Sequence, residues 1–333
     1  MSNPLRTFRI HAASWKWAVP ALLLSLGFAA STAQAQSLGY EGPTGVFVTP
    51  LASTAASPAK GLGTPVIAYH FLNGGKVIGN YSTVSITEGI AKHLEVGYTS
   101  EIHAGGNDNV NAVNLSPLWT GNINIVHAKA NFVAENAGKT KWVPALSLGF
   151  IGRFSDNNVG DGINSDGLHT ALSISSGVQT TKNADLYLVG TKVVTQITKK
   201  VPWLFNFGVR GTNASLWGLG GNAPNMTARG FGAIAWVFTG PGKSTIILAS
   251  EVAQQPKNVQ VTLANGIDKA GIFSIPTSEV YAVRVLPSPK CKLNIDFGVL
   301  QAAGRIGASP TLPSVPVNLD ARARVAFALS YGF

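Results

Sequence analysis

Charge is scarce in this chain. Asp, Glu, Lys and Arg make up 12% of its 333 residues, about half the roughly 25% of an ordinary globular protein. A soluble β-sandwich buries one face of each sheet and shows abundant Lys and Glu on the other; the supply for that is missing. Cysteine is almost absent too. Cys291 stands alone, so no intramolecular disulfide framework exists. It shares the parity of Leu293, Ile295 and Phe297 and reads as a small structural residue. Beyond residue 35 no apolar run approaches the ~18 residues of a membrane helix. Basic clusters are missing as well: none is longer than Lys199-Lys200, which argues against nucleic acid. His70, His93, His103, His127 and His169 show no metal-gathering spacing, and no G-x-S-x-G elbow is present. No enzyme, cofactor or metal site is therefore expected.

At the N-terminus Arg6, Arg9 and Lys16 precede an apolar run from Ala18 to Ala30, and Ala33-Gln34-Ala35 follows. A positive region, a short apolar stretch and a small-x-small site describe a secretory signal peptide. Residues 1–35 are expected to be removed by cleavage after Ala35. The formal net charge of +10 then falls to about +7, which suits a basic interior or a rim facing anionic headgroups.

From residue 65 onward, short runs of strand-forming residues alternate with Gly/Asn/Asp/Pro turns. Strands are predicted near 65–71, 80–87, 92–101, 122–134, 142–153, 168–177, 184–195, 202–211, 227–238, 244–252, 278–286, 292–300 and 322–333. Several have the ~9–11 residues that a tilted strand needs to cross a bilayer. Their faces separate well. In 202–211, Trp203, Phe205, Phe207 and Val209 oppose Asn206, Gly208 and Arg210. In 292–300, Leu293, Ile295, Phe297 and Val299 oppose Lys292, Asn294, Asp296 and Gly298. Apolar residues outward and small polar ones inward fit an all-β, transmembrane, antiparallel up-and-down β-barrel. The thirteen predicted strands conflict with the even count of single-chain bacterial barrels. Turn lengths alternate short and long except between about 184 and 211, so the reading is twelve strands, with fourteen as the alternative. The long 253–277 stretch has room for a further hairpin.

The organisation expected is a signal peptide (1–35), a periplasmic lead-in or plug (36–64) and the barrel (65–333). Gly240-Pro241-Gly242-Lys243-Ser244 resembles the tail of a phosphate loop, but position 237 is Val where the motif needs Gly. It reads as a hairpin turn. The stretch 156–167 is rich in Asp and Asn but lacks EF-hand spacing, and 105–109 is less specific still.

Charges of inward parity are the candidate lumen residues: Glu95, Arg153, Arg210, Arg284, Lys292, Asp296 and Arg324. A charge facing hydrocarbon costs ~2–4 kcal/mol at the midplane, so these point inward. There they either set anion preference in a lumen or pair across strands in a filled one.

The final residues place Val325, Phe327, Leu329, Tyr331 and Phe333 on one face. This ending resembles the C-terminal signature of bacterial outer-membrane barrels, with Leu329, Tyr331 and Phe333 as an assembly signal. Gly42-Pro43-Thr44-Gly45-Val46-Phe47-Val48-Thr49-Pro50-Leu51-Ala52 and Gly89-Ile90-Ala91-Lys92-His93-Leu94-Glu95-Val96-Gly97-Tyr98 resemble a family of proteobacterial outer-membrane proteins of unknown function. The likeness to YjbH-type barrels associated with exopolysaccharide export is looser. The resemblance implies a Gram-negative outer membrane. The partners expected are outer-membrane lipid and lipopolysaccharide, the barrel-assembly machinery through the last strand, and small solutes. The function expected is a passive channel for small polar solutes, anions included. The alternatives are an accessory envelope barrel with a filled lumen, linked to polysaccharide export, and a barrel enzyme acting on lipid.

Overall fold

A strand with one apolar face and free edges is unstable in isolation, and closure removes both liabilities where lipid covers the outside. The computed structural model describes residues 37–74, 80–104, 122–155, 172–174, 182–195, 197, 201–214, 217, 222–256, 260–263, 269–271, 274–288, 290–305 and 323–333. The expected signal peptide (1–35), the 105–109 and 156–167 stretches and His169 lie outside them. The strands are β1 (Val66–Asn73), β2 (Asn80–Ile90), β3 (Leu94–Ala104), β4 (Ile123–Val133), β5 (Ala145–Ser155), β6 (Leu172–Ile174), β7 (Asn183–Val194), β8 (Trp203–Ala214), β9 (Asn222–Thr239), β10 (Thr245–Gln254), β11 (Gln260–Leu263), β12 (Lys269–Gly271), β13 (Ser274–Leu286), β14 (Leu293–Arg305) and β15 (Arg324–Gly332).

Twelve of these form one closed antiparallel barrel, in which β15 pairs with β1 to complete the ring. The parity conflict is resolved at the predicted strand 168–177. Of that stretch the described residues are Leu172–Ile174, which pair with β11, itself paired with β12, in a separate three-stranded sheet. β5 therefore pairs directly with β7. The extra hairpin expected in 253–277 is the β11–β12 pair.

Alternation governs both faces. Ile86, Val96, Tyr98, Leu148, Leu188, Phe207, Val209, Val283 and Phe297 are large, exposed and outward. Such a band is what acyl chains cover in an outer-membrane barrel. The tight turns gather at one end. Ala91 and Lys92 take positive φ between β2 and β3, and Gly242 and Lys243 do so between β9 and β10. Residues 240–244 are thus a hairpin turn and not a phosphate loop. Trp203, Trp236, Tyr331 and Phe333 cluster at this same end, Trp203 and Trp236 as register partners. Interfacial aromatics of this kind sit at headgroup level.

Lys292 lies one residue before β14 and is exposed at its end of the barrel, although its carbonyl still accepts the Gly332 N–H. Cys291 beside it is exposed and not a buried residue of the strand.

Candidate functional site

A barrel of about eight strands fills its interior with its own side chains; a wider one leaves space. Here residues 37–56 occupy that space. From Ser37 to Ala55 every residue is buried except Ser53, which is half-buried. The segment is irregular. It folds on itself through two bridges, Leu38 with Thr44 and Gly45 with Pro50. Gly39, Tyr40, Gly45, Val46 and Leu51 donate their N–H groups to carbonyls within the segment. Gly42 makes the turn with φ near 102°, and a Cβ there would collide with Thr99 and His127.

Irregular backbone is tolerated at membrane depth only when its polar groups find partners. The inward residues of the wall supply them. Glu251 on β10 accepts N–H from Phe47 (2.7 Å), Val48 (3.1 Å) and Thr49 (2.7 Å), and the Thr49 hydroxyl at 2.6 Å. Glu95 on β3 accepts from the Thr44 N–H (2.9 Å), the Thr44 hydroxyl (2.8 Å) and the Ala55 N–H (2.8 Å). Thr191 Oγ1 on β7 accepts from the Ala52 N–H at 2.8 Å. Segment carbonyls are met in turn. Thr87 donates to Gly42 O, Asn206 to Pro50 O, and Asn131 and Ser147 to Ala52 O. His70 meets Leu38 O through Nε2 at 3.1 Å.

Four of the inward cations face acids. Lys129 on β4 lies 3.1 Å from Glu95 and also donates to Thr44. Arg153 on β5 donates to Glu41 of the segment and, at 2.8 Å, to Asp185 on β7. Arg210 on β8 reaches Glu41 at 2.9 Å and stands 5.9 Å from the centre of the Tyr187 ring. Arg284 on β13 grips Asp296 on β14 with two bonds of 2.8 Å and donates to the carbonyls of Gly45 and Val46. Breaking a buried pair from one side costs ~3–5 kcal/mol, so these contacts hold the segment in register.

Apolar packing adds to this. Tyr40, Phe47 and Val48 pack with Leu72, Tyr81, Val280, Ala282, Ala326 and Ala328 of the wall. Ala52 joins Ile125, Ile151, Tyr187 and Val189, and Leu38 joins Val66 and Ala68.

The structure therefore brings Glu95, Arg153, Arg210, Arg284 and Asp296 into one interior, each against the 37–56 segment or against a residue that touches it. Arg324 is half-buried on the inward parity of β15, and Lys292 is not part of the site. Leu329, Tyr331 and Phe333 lie along the outward face beside the β1–β15 seam. Sequence reasoning missed Glu41, Lys129, Asp185 and Glu251. The last three carry a signal, because each is a charge at an inward position of its strand: Lys129 with Ile125 and His127, Asp185 with Tyr187, Glu251 with Ile247 and Ala249. Glu41 has no strand parity to reveal it.

No protein-family model matches the chain, and no curated protein matches it at a significant level. Solved structures of similar fold include a KdgM porin, 10% identical, covering 80% of this chain and 99% of that one at a TM-score of 0.41. A NanC porin is 10% identical over 81% of this chain and 98% of its own, at 0.39. LpxR from Salmonella typhimurium is 10% identical over 80% of this chain and 100% of its own, at 0.44. Identities and scores this low extend no further than the class of fold.

Proposed function

We propose that this protein is an outer-membrane barrel held shut by its own N-terminal segment, a conduit for small polar solutes that opens only when residues 37–56 move aside. The observation that carries this reading is the use made of the inward polar residues. They complete the hydrogen bonds of a buried chain segment instead of lining a water column. The arginines at positions 153, 210 and 284 are neutralised by Glu41, Asp185 and Asp296, so as they stand they give a passing anion little to follow.

Magnitudes favour a resting state that is closed. Leu38, Tyr40, Phe47, Val48 and Leu51 are each at least 96% buried, and burying such a side chain contributes about 1.5–3 kcal/mol. Summed, and reduced for a compact unfolded reference, this is on the order of 10 kcal/mol. Complete thermal ejection is then about a one-in-ten-million event. Opening by a local shift, or by something that pulls on the segment, is the route that remains.

The same figure favours a second reading, an accessory envelope barrel that never opens. Planar-bilayer conductance separates the two. The chain lacking its signal peptide is expected to be silent. A variant that also lacks 36–60, still migrating differently on gels before and after boiling, is expected to conduct steadily. Silence in that folded variant would sink the conduit and leave the accessory barrel standing.

A further inference from the structure

Two arginines meet on the inner wall above the segment. Arg210 on β8 and Arg229 on β9 are direct register partners, so their side chains leave the same face of the sheet. Residues directly opposite in an antiparallel pair have Cβ atoms about 4.5–5.5 Å apart, and like charges there repel. Arg210 is offset by Glu41 at 2.9 Å and Asp185 at 3.6 Å. Both of these acids also face Arg153. Arg229 donates Nε–H to Thr227 Oγ1 at 3.1 Å, and among the described residues no carboxylate lies within ion-pair distance of it. Arg210 is 8% exposed, yet its Nε–H, deep in the wall, has no acceptor. Arg210 and Arg229 both line one small cavity of about 20 Å³ that is continuous with solvent. Thr212, Phe231 and Gln255 line its sides, and Val48, Thr49 and Pro50 of the segment form its floor. No acid lines it.

We infer that this cavity binds a small oxyanion, a carboxylate or a phosphate group, between Arg210 and Arg229. A planar guanidinium presents paired N–H donors that match two oxygens of such a group. An anion there would offset the repulsion across the β8–β9 pair. The cavity holds one such group and not a polymer. Since its floor is the 37–56 segment, the bound anion rests on the part of the chain that closes the barrel. That link to solute entry depends on the conduit reading; the binding itself does not.

Isothermal titration calorimetry on the refolded protein in neutral detergent tests it, with inorganic phosphate and acetate as separate probes against sodium chloride of equal ionic strength. Saturable heat with one site per chain is expected for at least one probe, and the stronger of the two identifies the group. Arg229→Gln, which leaves the Glu41 and Asp185 pairs in place, should weaken binding about tenfold or more; Arg229→Lys should weaken it less. Lys243→Gln at the opposite rim should leave it unchanged. If Arg229→Gln does not refold, the Lys variant alone decides. No saturable heat with either probe, or equal binding after loss of the Arg229 guanidinium, overturns the site. Conductance plays no part in this readout, so a silent barrel that binds phosphate and a conducting one that does not are told apart.

Discussion

Glu251 is a single carboxylate on the wall of β10, and it takes the N–H groups of three consecutive residues, Phe47, Val48 and Thr49. An amide cannot replace it well, because one of its two heads is a donor facing other donors. Glu251→Gln is expected to lower stability by about 1–3 kcal/mol, read as an earlier midpoint in guanidinium unfolding, and to raise the frequency of brief conducting events. Arg153→Gln removes the nearer of the two cations facing the buried acids Glu41 and Asp185 and should cost more, about 3–5 kcal/mol. Gly42 stands at a φ only glycine adopts easily and has no room for a methyl group. Gly42→Ala should loosen the segment by about 1–2 kcal/mol, seen as faster proteolysis within 37–60 while the barrel strands stay protected.

Among the elements, the wall repeats one packing device. Gly149 on β5 faces Tyr187 on β7, and Gly208 on β8 faces Phe231 on β9, each glycine the register partner of its aromatic residue. The ring lies across the bare backbone where a Cβ would overlap it. This covers a weak point of the strand and brings the ring flat against the wall, leaving the interior free for the segment. Gly149→Val should therefore overpack the site by about 1–3 kcal/mol, lowering the temperature at which the heat-modifiable gel band is lost. At the seam, Phe333 N–H donates to Pro65 O and the Tyr331 and Phe333 rings meet edge to face at 5.3 Å. A Tyr331→Ala, Phe333→Ala double variant is expected to give less folded barrel in outer-membrane fractions, with no change in the stability of the part that does fold.

For the molecule as a whole, the balance lies between wall and filling. Twelve strands enclose more room than their own inward side chains occupy. The wall meets this with polar residues whose partners are the backbone of 37–56. Removing the segment would leave Glu95, Glu251 and the arginines around Glu41 facing water in a low-dielectric tube. We expect the barrel lacking 36–60 to unfold at a lower guanidinium concentration than the intact chain. With Arg153 and Arg210 released from Glu41, its conductance should prefer anions. A reversal potential showing cation preference would contradict that charge balance.

Strand period, outward face and barrel class were legible in the sequence because alternation is a local property, readable in stretches such as 202–211 and 292–300 without knowing what lies across the sheet. Inward placement of Glu95, Arg153, Arg210, Arg284 and Asp296 followed from the same parity, while Lys292, one residue outside β14, is exposed. The count needed pairing, since 168–177 reads as a strand but only β5–β7 contact shows that the ring closes without it. Sequence by itself determined which side chains meet lipid and which meet the interior, because that choice is made residue by residue. Only the tertiary structure decided what the interior holds. Glu41 with Arg153 and Phe47 with Glu251 are 112 and 204 residues apart, and no periodicity links an irregular segment to the wall that satisfies its backbone.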